Sequence, residues 1–149
     1  MGLASSHGLG LALGRPDRKV IVLDGDGSLL MNLSTLVTVA SVAPPNLVYF
    51  VCENGTYEAN GGHPLPGQGR TDFCVLARGA GWPVVTEHEE LEAFETALPG
   101  ILASQGPVFT SLKVEPGESV GPANYEHIHG APARAGFREF LARERGAST

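Results

Sequence analysis

The run Val20-Ile21-Val22-Leu23-Asp24-Gly25-Asp26-Gly27-Ser28 carries four apolar residues into a turn with an acid between two glycines, and a helix-like run begins at Ser28. Glycines let backbone N–H groups approach phosphate oxygens, and the start of a helix adds partial positive charge. An acid inside such a cradle would repel a phosphate by itself. It makes sense where Asp26 holds a divalent cation, since hard cations take oxygen ligands in octahedral arrays and can bridge protein to phosphate. A second segment, Glu53-Asn54-Gly55-Thr56-Tyr57, follows another apolar run and offers further oxygens: the Asn54 side chain and a nearby backbone carbonyl. Together the two segments point to a metal–diphosphate ligand.

Elements that would position these residues can be read from periodicity. Residues 3–13 are small and apolar (Ala4, Gly8, Gly10, Ala12) and predict a tightly packed helix despite the glycines. Strands are expected at 19–23, 46–52, 83–86 and 108–114. Helices are expected at 28–43, with Leu29, Leu33, Leu36, Val37 and Ala40 at helical spacing, and at 71–78. A third falls at 88–104, with Leu91, Phe94, Leu98, Ile101 and Leu102 inward, and a last one at 134–145. Residues 55–70 read as a Gly- and Pro-rich loop, too irregular for a regular element and long enough to be functional. Strands alternating with helices predict an α/β fold, a doubly wound parallel sheet with helices on both faces. Ligands bind such sheets at the carboxyl ends of the strands, where Asp26 and Asn54 both fall.

Composition sets bounds on the function. At 149 residues the chain is read as one domain, 1–149, with its own core. A formal net charge of −6 with only two lysines, Lys19 and Lys113, argues against nucleic-acid or anionic-membrane partners. No apolar run approaches the ~20 residues of a membrane span. No basic region followed by an apolar core opens the chain, so no signal peptide is expected. Cys52 and Cys74 read as buried thiols in a reducing, cytoplasmic setting. His7 and His88 read as surface groups, His127 and His129 as tail residues, and Trp82 as packing.

Three chemistries fit an acidic glycine turn. A dinucleotide site wants G-x-G-x-x-G after the strand, and Gly25-Asp26-Gly27 lacks the third glycine. Val22-Leu23-Asp24-Gly25-Asp26-Gly27-Ser28-Leu29 resembles the first motif of haloacid-dehalogenase-type Mg-dependent phosphatases. That chemistry needs further acids after a later strand, and the only downstream aspartate is Asp72. The third reading uses both segments. Gly25-Asp26-Gly27-Ser28 with Asn54 resembles the motif of the pyrophosphate-binding domain of thiamine-diphosphate-dependent decarboxylases. The flanks Met1-Gly2-Leu3-Ala4-Ser5-Ser6, Leu9-Gly10-Leu11-Ala12-Leu13, Arg15-Pro16-Asp17-Arg18-Lys19-Val20 and Asn54-Gly55-Thr56-Tyr57-(x)₃-Gly61-Gly62 are similar to the sulfopyruvate and phosphonopyruvate decarboxylases of that family. The resemblance covers residues 1 to about 115; residues 116–149 read as a C-terminal extension with a final helix.

The resemblance implies that Asp26, Asn54 and the Thr56 backbone carbonyl ligate Mg²⁺. Met1, Gly25, Gly27, Ser28 and Tyr57 join them around thiamine diphosphate, Met1 propping the cofactor into its bent shape. Glu53 stands where the family usually has Asp or Asn. Family members also carry another strand and helix before the position of Met1, so the fold is expected to lack its first strand–helix unit. The activating glutamate of such enzymes lies on a different, pyrimidine-binding domain. A complete site therefore implies a partner chain, a hetero-oligomer most simply of two copies each, with Ala4, Gly8, Ala12 and the 55–69 loop near the interface. The implied activity is a lyase acting on a small 2-oxo acid, with an aldehyde or, by carboligation, an acyloin as product. Glu58 and His63 are the loop residues expected to reach substrate. The rival reading is a non-catalytic, partner-binding remnant of the same fold.

Overall fold

The structure, a computed structural model, describes residues 1–117 and 124–143. The chain divides into two compact units, Met1–Gly117 and Glu118–Thr149. In chain order the first unit runs α1 (Ala4–Gly14), β1 (Val20–Gly25), α2 (Asp26–Leu30), α3 (Thr35–Val42), β2 (Leu47–Glu53), β3 (Thr56–Tyr57), β4 (His63–Pro64), α4 (Phe73–Ala80), β5 (Val84–His88), α5 (Leu91–Ala103) and β6 (Val108–Lys113). Four strands form one sheet of order β1-β2-β6-β5, every neighbouring pair parallel. This is the α/β architecture that alternating strands and helices predict.

The central strand shows why the sheet needs cover on both sides. Side chains alternate across a strand, and the first five residues of β2 are all buried. Leu47, Tyr49 and Val51 pack on one face with Ala12 of α1, Leu36 and Val39 of α3, and Phe73, Cys74 and Ala77 of α4. Val48 and Phe50 pack on the other with Ile101, Phe94, Ala97, Leu98 and Leu102 of α5. Tyr49, Trp82 and Phe109 form a tight aromatic cluster, with ring centroids 5.6–6.0 Å apart. Trp82 is a packing residue whose indole N–H donates to the Leu36 carbonyl. On the edge strand β1, Ile21 and Leu23 stay 50% and 72% exposed.

Several expectations need correction. The 28–43 run is not one helix: Asn32, Ser34 and Thr35 hydrogen-bond among themselves, with Thr35 Oγ1 donating to the Asn32 carbonyl and Ser34 Oγ to Asn32 Oδ1. Such side chains compete with the helix ladder. The break resets the helical phase, and Val37 ends up 57% exposed. Leu91 is 69% exposed because it opens α5 ahead of the turn that meets the sheet. The 55–70 segment holds regular structure after all: β3 pairs antiparallel with β4 around a 3-10 turn, Glu58–Asn60. Left-handed Gly61 and Gly62 allow that reversal (φ 92° and 74°). His88 is not a surface group, since its Nε2 is buried without a hydrogen-bond partner and its ring lies against Phe94.

The small-residue face of α1 is used inside the chain rather than at an interface. Gly8 and Ala12 are buried and Ala4 packs against the same core. A β-carbon at Gly8 would overlap the Val22 Cγ2 methyl of β1. The helix sits this low because it must. In the second unit, α6 (Tyr125–His129) is capped by Asn124, whose Oδ1 accepts from the His127 N–H at 3.0 Å. The sequence reading has no helix there. A short link leads to α7 (Ala131–Arg143), the expected final helix begun earlier; positions 144–145 of that expectation lie outside the described residues. His127 and His129 are exposed, and no metal-binding cluster of His, Cys, Asp and Glu occurs among the described residues.

Gly8→Ala is expected to destabilise the fold by about 1–3 kcal/mol, the usual cost of overpacking a dense contact. Urea denaturation should show a lower midpoint at an unchanged slope; an unchanged midpoint would mean that α1 can lift from β1 freely.

Candidate functional site

The register of β1 on β2 builds the site. Gly25 pairs with Cys52, so the turn that follows β1 and the turn that follows β2 leave the sheet side by side. Asp26 joins them. Its carboxylate is 2% exposed; Oδ1 accepts from the Gly27 N–H at 2.7 Å and Oδ2 from the Gly55 N–H at 2.8 Å. No cationic side chain among the described residues forms an ion pair with it. A buried carboxylate held by two amides alone still carries lone pairs that favour a cation.

Asn54 lies on the same turn. Its Oδ1 accepts from the Thr56 N–H at 3.0 Å and its Nδ2 donates to Glu58 Oε2 at 2.6 Å. Glu58 is therefore engaged with Asn54 rather than set free for a substrate, as the loop reading expects. Tyr57 closes the turn from the side. A β-carbon at Gly27 would come within 2.6 Å of its ring and 3.1 Å of the Leu65 side chain, so Gly27 is needed for this packing. Around Gly25, by contrast, a β-carbon would meet nothing within 4 Å. Packing does not require that glycine, and its backbone is left open to approach. His63 is exposed on β4, in register with Tyr57.

The chain start is tied to the same place. The Gly2 N–H donates to Ser28 Oγ at 2.9 Å, and Asn32 Nδ2 donates to the Gly2 carbonyl at 3.0 Å. Ser28 accepts here, which leaves its own hydroxyl proton to donate. Met1, 53% exposed, is thereby held beside the start of α2. The role of Asn32 escapes the sequence reading, which places it mid-helix; its one legible signal is the polar cluster Asn32, Ser34 and Thr35 inside an apolar run. Buried Ser5 clamps α1 to this region, its Oγ donating to Thr35 Oγ1 at 2.8 Å.

Asp24 behaves differently from Asp26. Its Oδ2 accepts from the Tyr49 phenol and its Oδ1 from the Gly25 N–H. Burial, then the hydrogen bond to Asp24, push the Tyr49 phenol far up, so it stays a donor. An acid so occupied is poorly placed to be a nucleophile, and this weakens the phosphatase reading.

Just behind Asn54, Glu53 is anchored to β6: it accepts from Ser111 Oγ and from Lys113 Nζ, the latter at 2.6 Å, and Lys113 also meets Glu87 at 3.1 Å. Burial works against the Lys113 charge, but Glu53 and Glu87 outweigh it and push its pKa up to about 12. Both cysteines are free, Cys74 buried but Cys52 only half-buried, against the expectation of two buried thiols. Burial raises both thiols, Cys74 to about 11, so neither is a thiolate near neutrality.

Two adjacent strand ends of the parallel sheet thus carry an acid, an amide, an open glycine and a hydroxyl. Residues 1–112 match the family model "Thiamine pyrophosphate enzyme, C-terminal TPP binding domain", and the chain belongs to that family. It is 39% identical over 140 residues to a phosphonopyruvate decarboxylase of Streptomyces hygroscopicus, covering 94% of this chain and 34% of that protein. It is 43% identical over 122 residues to the sulfopyruvate decarboxylase subunit beta of Methanothermobacter thermautotrophicus, covering 82% of this chain and 62% of that subunit. Among solved structures, the Rhodococcus jostii RHA1 thiamine diphosphate-dependent 4-hydroxybenzoylformate decarboxylase superposes with a TM-score of 0.68 at 31% identity, over 80% of this chain and 24% of that one. The chain thus spans about a third of the phosphonopyruvate decarboxylases it matches. No helix among the described residues is long and apolar enough to cross a membrane.

Lys113→Met should destabilise the chain, because Glu53, with its side chain only 10% exposed, loses its cation. The Lys113 pKa is raised in the fold from 10.5 to about 12. The stabilisation is therefore complete below pH 10.5 and lost as pH rises through about 12. Urea denaturation should show a wild-type advantage at pH 8 that closes at the alkaline end. A gap that is the same at both pH values would remove the ion pair from the account.

Proposed function

We propose that the chain is the cofactor-binding subunit of a split thiamine-diphosphate-dependent 2-oxo acid decarboxylase or carboligase, a lyase active only with a pyrimidine-domain partner. The observation that carries this reading is Asp26: a buried carboxylate without an ion-pair partner among the described residues, tied by backbone amides to the turn that holds Asn54. Asp26, Asn54 and the Thr56 carbonyl hold Mg²⁺, and Gly25, Gly27, Ser28, Tyr57 and Met1 surround thiamine diphosphate. The set fits the group: hard oxygen donors for the metal, a free hydroxyl proton at Ser28 for a phosphate oxygen, and open backbone at Gly25. The intact donor set argues against a remnant.

Bound thiamine diphosphate supplies an electron sink for the pair that remains when a 2-oxo acid loses CO₂. This chain's share is orientation and charge. Asp26 offsets the metal's charge, Met1 bears on the organic half of the cofactor, and the β3–β4 hairpin covers the turn and excludes water. His63, exposed on that hairpin, faces substrate. The cofactor site lies wholly in the first unit. Ile21 and Leu23, uncovered on the edge strand, give the assembly apolar surface to bury. The relatives named sulfopyruvate decarboxylase subunit beta support a partner chain; we assign it the pyrimidine domain, in an assembly of two copies each. The two free, unreactive thiols suit a reducing cytoplasm.

In calorimetry on the native assembly, thiamine diphosphate should bind only with Mg²⁺ present. Asp26→Ala should abolish binding, because the two charges of the diphosphate lose their bridging cation. Equal affinity in Asp26→Ala, or in EDTA, would sink the assignment. Light scattering of the active protein should report a hetero-oligomer; a monomer with full decarboxylase activity on its own would contradict the partner.

A further inference from the structure

We propose that Glu58 is a positioning residue for the cation site: it selects which end of the Asn54 amide faces the metal and ties that choice to the end of the first unit. The inference rests on the cofactor reading above and adds a residue to it. A side-chain amide presents an oxygen at one end and a donor at the other, and a cation accepts only the oxygen. Rotated by half a turn, Asn54 would aim its NH₂ group at the metal and the site would fail. Something must hold the amide one way round.

Glu58 holds the NH₂ end, while the Thr56 N–H and Oγ1 donate to the oxygen end at 3.0 and 3.3 Å. An ionised carboxylate can only accept, so the group facing it must be the Asn54 NH₂; Nδ2 donates to Oε2 at 2.6 Å. The oxygen is left on the side of the Thr56 N–H, and that places it on the turn whose Gly55 N–H binds Asp26. Glu58 is not free to swing to the metal itself. Its other oxygen accepts from the Gly117 N–H at 2.9 Å. A β-carbon at residue 117 would lie 2.9 Å from that oxygen, so the carboxylate would have to shift slightly. The two oxygens are divided between Asn54 and Gly117, and each contact fixes the carboxylate for the other. Partners that orient a ligand in this way commonly matter almost as much to metal affinity as the ligands themselves.

The test is a double-mutant cycle read as Mg²⁺ affinity at saturating thiamine diphosphate, by calorimetry on the full chain in its native assembly. Glu58→Gln presents an amide to an amide and should weaken Mg²⁺ roughly tenfold, the low end of what losing an outer partner costs. The apo melting temperature should stay unchanged, because Glu58 is exposed. In the Asn54→Asp background the sign should reverse: Glu58 now faces a like charge, and Glu58→Gln, which can donate to the new carboxylate, should tighten Mg²⁺. A merely structural role would give the same sign in both backgrounds, and that result overturns the proposal. So does wild-type affinity in Glu58→Gln while Asp26→Ala binds nothing. If Asp26→Ala also binds normally, the cation site itself is wrong and both readings fall.

Discussion

Everything at the site depends on one carboxylate being shared by two turns. Parallel pairing sets Gly25 against Cys52, but register alone would leave the two following turns as neighbouring loops free to diverge. Asp26 closes the gap with one amide from its own turn and one from the other. Hydrogen bonds to a charged acceptor contribute about 1.5–3 kcal/mol, more than neutral ones, and burial raises what is lost if either is broken. The arrangement holds a negative charge with which no cationic side chain among the described residues forms an ion pair.

The packing is organised to keep that carboxylate still. α1 lies close on β1 because Gly8 has no side chain, and Ser5 bonds it to Thr35. The chain start reaches back over α2 through Gly2, Ser28 and Asn32. On the other side of the turn, Tyr57 packs on Gly27 and Leu65 fills the space beneath the hairpin at 7% exposure. β2 cannot slide relative to β6 without separating Glu53 from Ser111 and Lys113. Each of these contacts restrains a different element, and all of them converge on residues 26–28 and 53–57.

The central strand β2 was legible because a strand buried on both faces reads as a continuous apolar run, and the edge strand β1 and β6 were also found within a residue or two. The site pair Asp26 and Asn54 was legible for another reason, since glycine next to acid at a strand end has few uses. What escaped depends on contacts distant in sequence. The break after α2 arises from polar side chains bonding one another within an apolar run, and a periodicity count weighs the apolar ones. The interior use of Ala4, Gly8 and Ala12 could not be told from an interface, because small residues serve close approach to any neighbour. The β3–β4 hairpin was hidden by glycines that read as irregularity but supply the left-handed φ its reversal needs. Glu58 drew notice only as a titratable group; its bonds to Asn54 and Gly117 become visible once the hairpin is folded.

The charge around the site bears on how the proposed ligands would arrive. Asp24, Asp26, Glu53 and Glu58 lie on or beside the two turns, and Lys113, the cation nearest in the bonding pattern, is held by Glu53 and Glu87. A bare diphosphate approaching this end of the sheet meets carboxylates, which repel it within the ~8 Å over which physiological salt screens charge. A divalent cation meets attraction at the same place. On the proposed reading the metal therefore enters before the diphosphate or together with it. On the same reading the open glycine and the Ser28 hydroxyl would orient the phosphates beside a cation that lowers the local negative charge.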